Sequence, residues 1–167
     1  VSICAALGRT FTIDTLARVT EMPHDAIAPQ IDELVRQMIL VVHQGTSGVA
    51  YHFRHNLIQE AAYGMLPKGR KRRLNARVAE VLRTAVPDYA TLNPEVLAGH
   101  YREADMPALA RDWYDEAAER AIARSGYIEA IGHLRVALAE NELVPDAGAQ
   151  AENEIRLRER LVIPLEA

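Results

Sequence analysis

The hydrophobic period changes within one short stretch, Tyr51-His52-Phe53-Arg54-His55-Asn56-Leu57-Ile58-Gln59-Glu60-Ala61-Ala62-Tyr63. Tyr51, His52 and Phe53 alternate apolar and polar, as a half-buried strand does. From Asn56 onward, Leu57, Ile58, Ala61, Ala62 and Met65 recur at helical spacing and define one apolar face. A strand therefore runs directly into a helix, with His55 at the junction. The first N–H groups of a helix lack intrahelical partners and its dipole is positive there, so this position suits an anion or a phosphate. His55 or Asn56 can cap the helix. The residues alone leave His55 open as a cap, a packing residue or an anion ligand.

The flanking sequence predicts what this junction belongs to. Val1 to Leu7 reads as a short buried helix stopped by Gly8. Thr12 caps a second helix, with Ile13, Leu16 and Val19 as its stripe and Asp14 favourable in its first turn. Pro23 marks the start of a third helix, whose buried face is Ile27, Ile31, Leu34, Val35 and Met38. Pro29 is expected to kink that helix or delay its beginning. Ile39 to His43 follows as a strand, Gln44 to Gly48 as a loop, and Val49 to Phe53 as the returning strand of a hairpin. Three helices and a hairpin in this order predict a winged helix-turn-helix.

After the helix that starts at Asn56, a further one is predicted from about Lys68 to Val86, with Leu74, Val78, Val81 and Leu82 on one side. Pro87 and Asn93-Pro94 bracket an expected linker. The domains are thus drawn at 1–86 and 95–167. Beyond the linker the pattern is helical only, at roughly 95–104, 107–124, 127–142 and 148–163. Within it Ala110-x-x-x-Tyr114-x-x-Ala117 recurs as Ala130-x-x-x-Leu134-x-x-Ala137. That spacing puts two small side chains and one bulky one on a single face, so neighbouring helices can approach closely.

Charge is distributed in blocks. The net −4 combines a basic band of +6 at residues 67–86 with −2 before it and −8 after it. Lys68, Arg70, Lys71, Arg72 and Arg73 crowd the start of a helix, where positive charge opposes the dipole. Contact with an acidic surface of the same protein, solvent, and nucleic acid or nucleotide are the three occupants to weigh. A single cysteine, Cys4, excludes an intramolecular disulfide and points to a reducing cytoplasm. The aliphatic run Met38 to Val42 is too short to span a bilayer, so no membrane partner is expected.

Several chemistries lack their residues. The two lysines, Lys68 and Lys71, are not preceded by the glycine loop a phosphate-cradling Walker motif needs. No Ser–His–acid arrangement is visible. His52-x-x-His55 lacks further ligands nearby, so no metal is expected. His100 and His133 read as core or surface histidines on helices. Asp112, Asp115, Glu116, Glu119 and Arg120 read as a solvated helix face. The third helix carries Asp25, Asp32 and Glu33 against Arg36, a poor charge balance for DNA, so nucleic acid is disfavoured as a partner.

Four segments carry a family resemblance. Gly8-Arg9-Thr10-Phe11, and Phe53-Arg54-His55-Asn56-Leu57-Ile58-Gln59-Glu60-Ala61-Ala62-Tyr63, resemble the opening and the strand-to-helix segment of the winged-helix domain in bacterial STAND-type signalling ATPases. These are the kind fused to class III adenylate or guanylate cyclases or to LuxR-like regulators. In the wider group the matching positions carry a Met-His-Asp motif, here Arg54, His55 and Asn56, so the histidine is the residue in common. The resemblance implies that His55 contacts the β-phosphate of ADP in the intact protein. Tyr127 to Leu138 resembles the second helix of a tetratricopeptide repeat, and Glu152 to Leu165 resembles the next family helix.

The resulting expectation is a mainly α chain: a winged helix-turn-helix with a short β-hairpin, then tetratricopeptide-like antiparallel helix pairs. It is expected to be a non-catalytic, cytoplasmic fragment of a larger signal-transduction ATPase. It would hold no cofactor itself, while ADP or ATP with Mg would bind elsewhere in the parent. Its expected partners are the nucleotide-binding domain of the same protein and a protein or small ligand on the helical repeats. The alternative is a DNA-binding winged-helix fragment of a transcriptional regulator.

Overall fold

Thr12 starts the second helix of the chain. Its hydroxyl accepts from the Thr15 N–H at 3.2 Å and caps a helix over Ile13–Thr20. The structure, a computed structural model, describes residues 1–45 and 48–166. The protein is mainly helical with a small three-strand antiparallel sheet. It divides into two compact units, Val1–Val81 and Leu82–Ala167.

In the first unit the order is α1 (Ser2–Ala6), β1 (Thr10–Phe11), α2 (Ile13–Thr20), α3 (His24–Arg36), β2 (Leu40–Gly45), β3 (Gly48–Phe53) and α4 (Asn56–Gly64). Helix α5 (Lys68–Ala85) follows and contains the division between the units. The strands lie in the order β1-β3-β2. In register, Phe11 faces Tyr51 and Leu40 faces Phe53. Phe11, Phe53, Leu40, Leu16, Ile27 and Ile31 are buried and form much of this unit's core. Helix α4 is tied to α1 by Gln59, whose Nε2 donates to the Ala5 carbonyl at 3.1 Å.

Five expectations change here. Strand β1 is a third strand, missed because two residues are too few to show a period. The ladder extends to Gly45 opposite Gly48, taking in three residues assigned to the loop; Thr46 and Ser47 lie outside the described residues. Pro29 does not delay α3, which starts at His24 and continues past it. Met38 is not on the buried face. It is 63% exposed at φ 56°, in the left-handed turn that ends α3, where Ile39 N–H reaches back to the Leu34 carbonyl. On α4, Leu57 and Met65 are 77% and 83% exposed, while Ala62 and the following Leu66 are buried and Ile58 is half-buried. The apolar arc of α4 is wider than the core it meets, and periodicity alone does not say which edge is covered.

In the second unit, the expected linker is itself helical, as α6 (Pro87–Leu92). Proline at the first helical position sacrifices only an N–H that would be unpaired anyway, so Pro87 starts a helix here as readily as it would mark a loop. Then come α7 (Pro94–Glu103), α8 (Pro107–Ala123), α9 (Tyr127–Asn141) and α10 (Ala147–Leu165), each of the last three packed on its predecessor. Ala110, Ala117, Ala130, Leu134 and Ala137 are all buried. Leu134 and Ala137 form a cluster with Ala118 and Leu157 from the neighbouring helices, and Tyr114 packs against it. Asp105 and Ser125 occupy the same left-handed position in the turns after α7 and α8, at φ 62° and 60°. In both turns the next N–H reaches five residues back: Met106 to Tyr101 at 3.0 Å and Gly126 to Ala121 at 2.7 Å. Each copy of the alanine motif is thus preceded by an equivalent turn.

Asp115 corrects the reading of a solvated carboxylate face. It is buried, and its carboxylate lies 2.9 Å from Arg156 and 3.1 Å from Arg160 of α10. Burial raises its pKa, and the two guanidiniums oppose that rise. Arg111 is also buried; its guanidinium donates to Asp112 and, at 3.2 Å, to Asn141, which in turn donates to the Gln150 carbonyl. A polar seam therefore runs beside the alanine seam.

Candidate functional site

The ladder from Leu40 to Phe53 ends where Arg54 N–H donates to the Ile39 carbonyl at 3.0 Å. The next residue, His55, has extended backbone angles (φ −132°, ψ 131°) and is the N-cap of α4. Its carbonyl accepts the first bonds of the helix, from Ile58 N–H at 3.1 Å and Gln59 N–H at 3.5 Å. The imidazole makes no cap hydrogen bond and is exposed. Neither capping nor core packing engages the His55 side chain. Arg54 and Asn56 are exposed on either side of it, and the first turn of α4 carries no acidic residue. This combination presents one imidazole, one guanidinium and the positive end of a helix dipole to solvent.

The basic cluster lies beyond the other end of α4. Lys68, Arg70, Arg72 and Arg73 are exposed in the first turns of α5, and Lys71 is half-buried. Lys71 Nζ sits 4.7 Å from the centre of the Tyr63 ring, and Tyr63 Oη accepts from the buried Asn75 at 2.7 Å. Asn75 also donates to the Lys71 carbonyl at 2.9 Å, so ring, amide and ammonium hold one another. No acidic residue stands in the first turn of α5. His55 and the cluster are separated by the whole of α4, a rise of about 13 Å for its length. They are therefore two separate places on the unit and not one combined site.

His52 meets His43 edge-on across the hairpin, with ring centres 6.5 Å apart. Among the described residues there is no group of three or more metal-ligating side chains. His133 stacks on Tyr114 at 6.1 Å, and His100 is buried, which lowers its pKa to about 4. On α3, Arg36 is paired with Glu33 and His24 lies 3.1 Å from Asp14, while Asp25 and Asp32 are exposed. Among the described residues no helix is long and apolar enough to cross a membrane. Comparisons with family models, with curated proteins and with solved structures return no match to this chain.

Proposed function

We propose that this chain is a regulatory, non-catalytic segment of a cytoplasmic signal-transduction ATPase. In this reading residues 1–86 act as a winged helix that closes on a nucleotide-binding domain of the same protein. Residues 95–167 begin a tetratricopeptide-like arm for a protein or small ligand. ADP or ATP with Mg belongs to that other domain, and an adenylate or guanylate cyclase is a fitting output. The observation that carries the reading is the state of His55. It is a side chain at a strand–helix junction, exposed, unbonded and beside a helix N-terminus whose N–H groups favour a phosphate. In this reading the exposed cations at Lys68, Arg70, Arg72 and Arg73 serve as a second contact for an acidic surface of the same protein. The acidic outer side of α3, with Arg36 already paired, argues against direct DNA reading.

The test is His55→Ala in the full-length protein. Loss of one hydrogen bond to phosphate weakens the closed ADP state by about 1–3 kcal/mol, a shift large enough to move a two-state switch. ADP dissociation should accelerate and basal output should rise, while the melting temperature of the 167-residue chain stays unchanged. Unchanged ADP release would remove the proposal. Sequence-specific DNA binding at physiological salt would replace it with the regulator reading.

A further inference from the structure

Helix α8 carries the single tryptophan of the chain, Trp113, between Asp112 and Glu116. These three side chains and Thr91 of α6 line an open cleft of about 230 Å³. That is below the roughly 300–1,000 Å³ of pockets that enclose a whole small molecule, so the cleft suits a side chain or a head group. The two carboxylates are not equivalent. Asp112 already accepts from Arg111 at 2.9 Å and lies 3.8 Å from Arg156. Glu116 is exposed and makes no hydrogen bond or ion pair to any described residue. The Trp113 indole N–H likewise has no acceptor among the described residues.

An indole face attracts a cation through its quadrupole, and a carboxylate beside it supplies the opposite charge. Anions are repelled twice over, and among the described residues no cation pairs with Glu116. The surrounding sequence reinforces this, since residues 87–167 carry a net charge of −8 and draw cations from a distance. What separates this place from an ordinary solvated acidic helix face is the concavity and the aromatic wall. We propose that the cleft binds an alkylammonium or guanidinium group, with Glu116 as the ion-pair partner and Trp113 as the stacking surface. The group can come from a free organic cation or from a lysine or arginine of a partner peptide. This inference is independent of any role for His55.

The single tryptophan makes the test direct. Trp113 emission is followed while the 167-residue chain is titrated with spermidine, with arginine amide and with a short arginine-containing peptide. Saturable change with at least one of them is expected, weakening as salt is raised. Glu116→Gln should weaken that binding about three- to fivefold with an unchanged circular dichroism melt, because Glu116 is exposed. Glu159→Gln, at an exposed carboxylate of α10 with no partner among the described residues, should leave it unchanged. Similar affinity for all three probes identifies a free-cation site; binding of the peptide alone identifies a partner's side chain. No saturable change with any probe overturns the proposal, and so does equal weakening by Glu159→Gln, which would mean diffuse attraction to an acidic surface.

Discussion

Asp115 on α8 lies 2.9 Å from the Arg156 guanidinium of α10, and only 3% of Asp115 is exposed. The pair joins helices that are not consecutive. Arg160, one turn further along α10, approaches the other carboxylate oxygen at 3.1 Å but aims its N–H at Glu119. That oxygen of Asp115 consequently has no hydrogen-bond donor among the described residues. Arg156→Met should destabilise the protein by about 1–3 kcal/mol, because it leaves the buried Asp115 carboxylate with less compensation. This is less than for a fully buried pair, because Arg156 is half-exposed and keeps some hydration. Urea unfolding of Asp115→Asn, Arg156→Met and the double variant gives the coupling, expected at about 1 kcal/mol or more. Additive losses would mean the pair contributes nothing beyond its two burials.

The alanine seam gives a packing prediction. Ala117 and Ala130 are buried, as are Ala110 and Ala137. Leucine at either position has no space without displacing a neighbouring helix, so Ala117→Leu or Ala130→Leu should cost about 1–3 kcal/mol. Thermal melts check this, and an unchanged melting temperature for both would contradict close approach at the seam.

His100 makes stability depend on pH. Its folded pKa of about 4 lies below the ordinary value because burial disfavours the imidazolium. The unfolded chain therefore binds a proton first. The contribution is complete above about pH 6.5 and is lost as pH falls toward 4, with a ceiling of about 3 kcal/mol. Asp115 and Glu140, raised by burial, work in the opposite sense: their contribution is present below their unfolded pKa and fades as pH rises through the folded one. Denaturant midpoints measured between pH 7 and 4 should fall, and His100→Gln should flatten that decline.

Ser125 occupies the left-handed region at φ 60° without being glycine. That conformation costs an ordinary residue about 1–2 kcal/mol, partly offset in a glycine variant by its greater unfolded freedom. Ser125→Gly should therefore raise stability by about 0.5–1 kcal/mol. Ser125→Val should lower it, since a branched side chain fits this region worst. Equal melting temperatures for the two variants would show that the turn is not strained.

Much of the local structure is legible in the residues. Thr12 as a cap, Pro23 before α3, the change of period at His55 and the alanine motifs all act within a turn or two of chain. Their physics therefore needs no distant partner, and apart from α6, which is expected as a linker, the helices from Ile13 to Leu165 fall close to where spacing puts them. The alanines at 110, 117, 130 and 137 are likewise identified as buried by their spacing alone.

The remainder depended on residues distant in sequence. Thr10-Phe11 is a strand because Tyr51 and His52 offer it a ladder, and nothing within two residues announces that. Leu57 and Met65 are exposed because the core meets only one edge of the apolar arc of α4. Asp115 looks like its solvated neighbours until α10 brings Arg156 and Arg160 to it. The exposed, unbonded imidazole of His55 is a property of the folded junction, since the same residue could have capped α4 with its side chain. Where backbone hydrogen bonds close locally follows from residues within a turn or two of one another. Only the tertiary structure decided which faces meet and which polar groups find partners, because burial and ion pairing depend on distances between elements that periodicity does not encode.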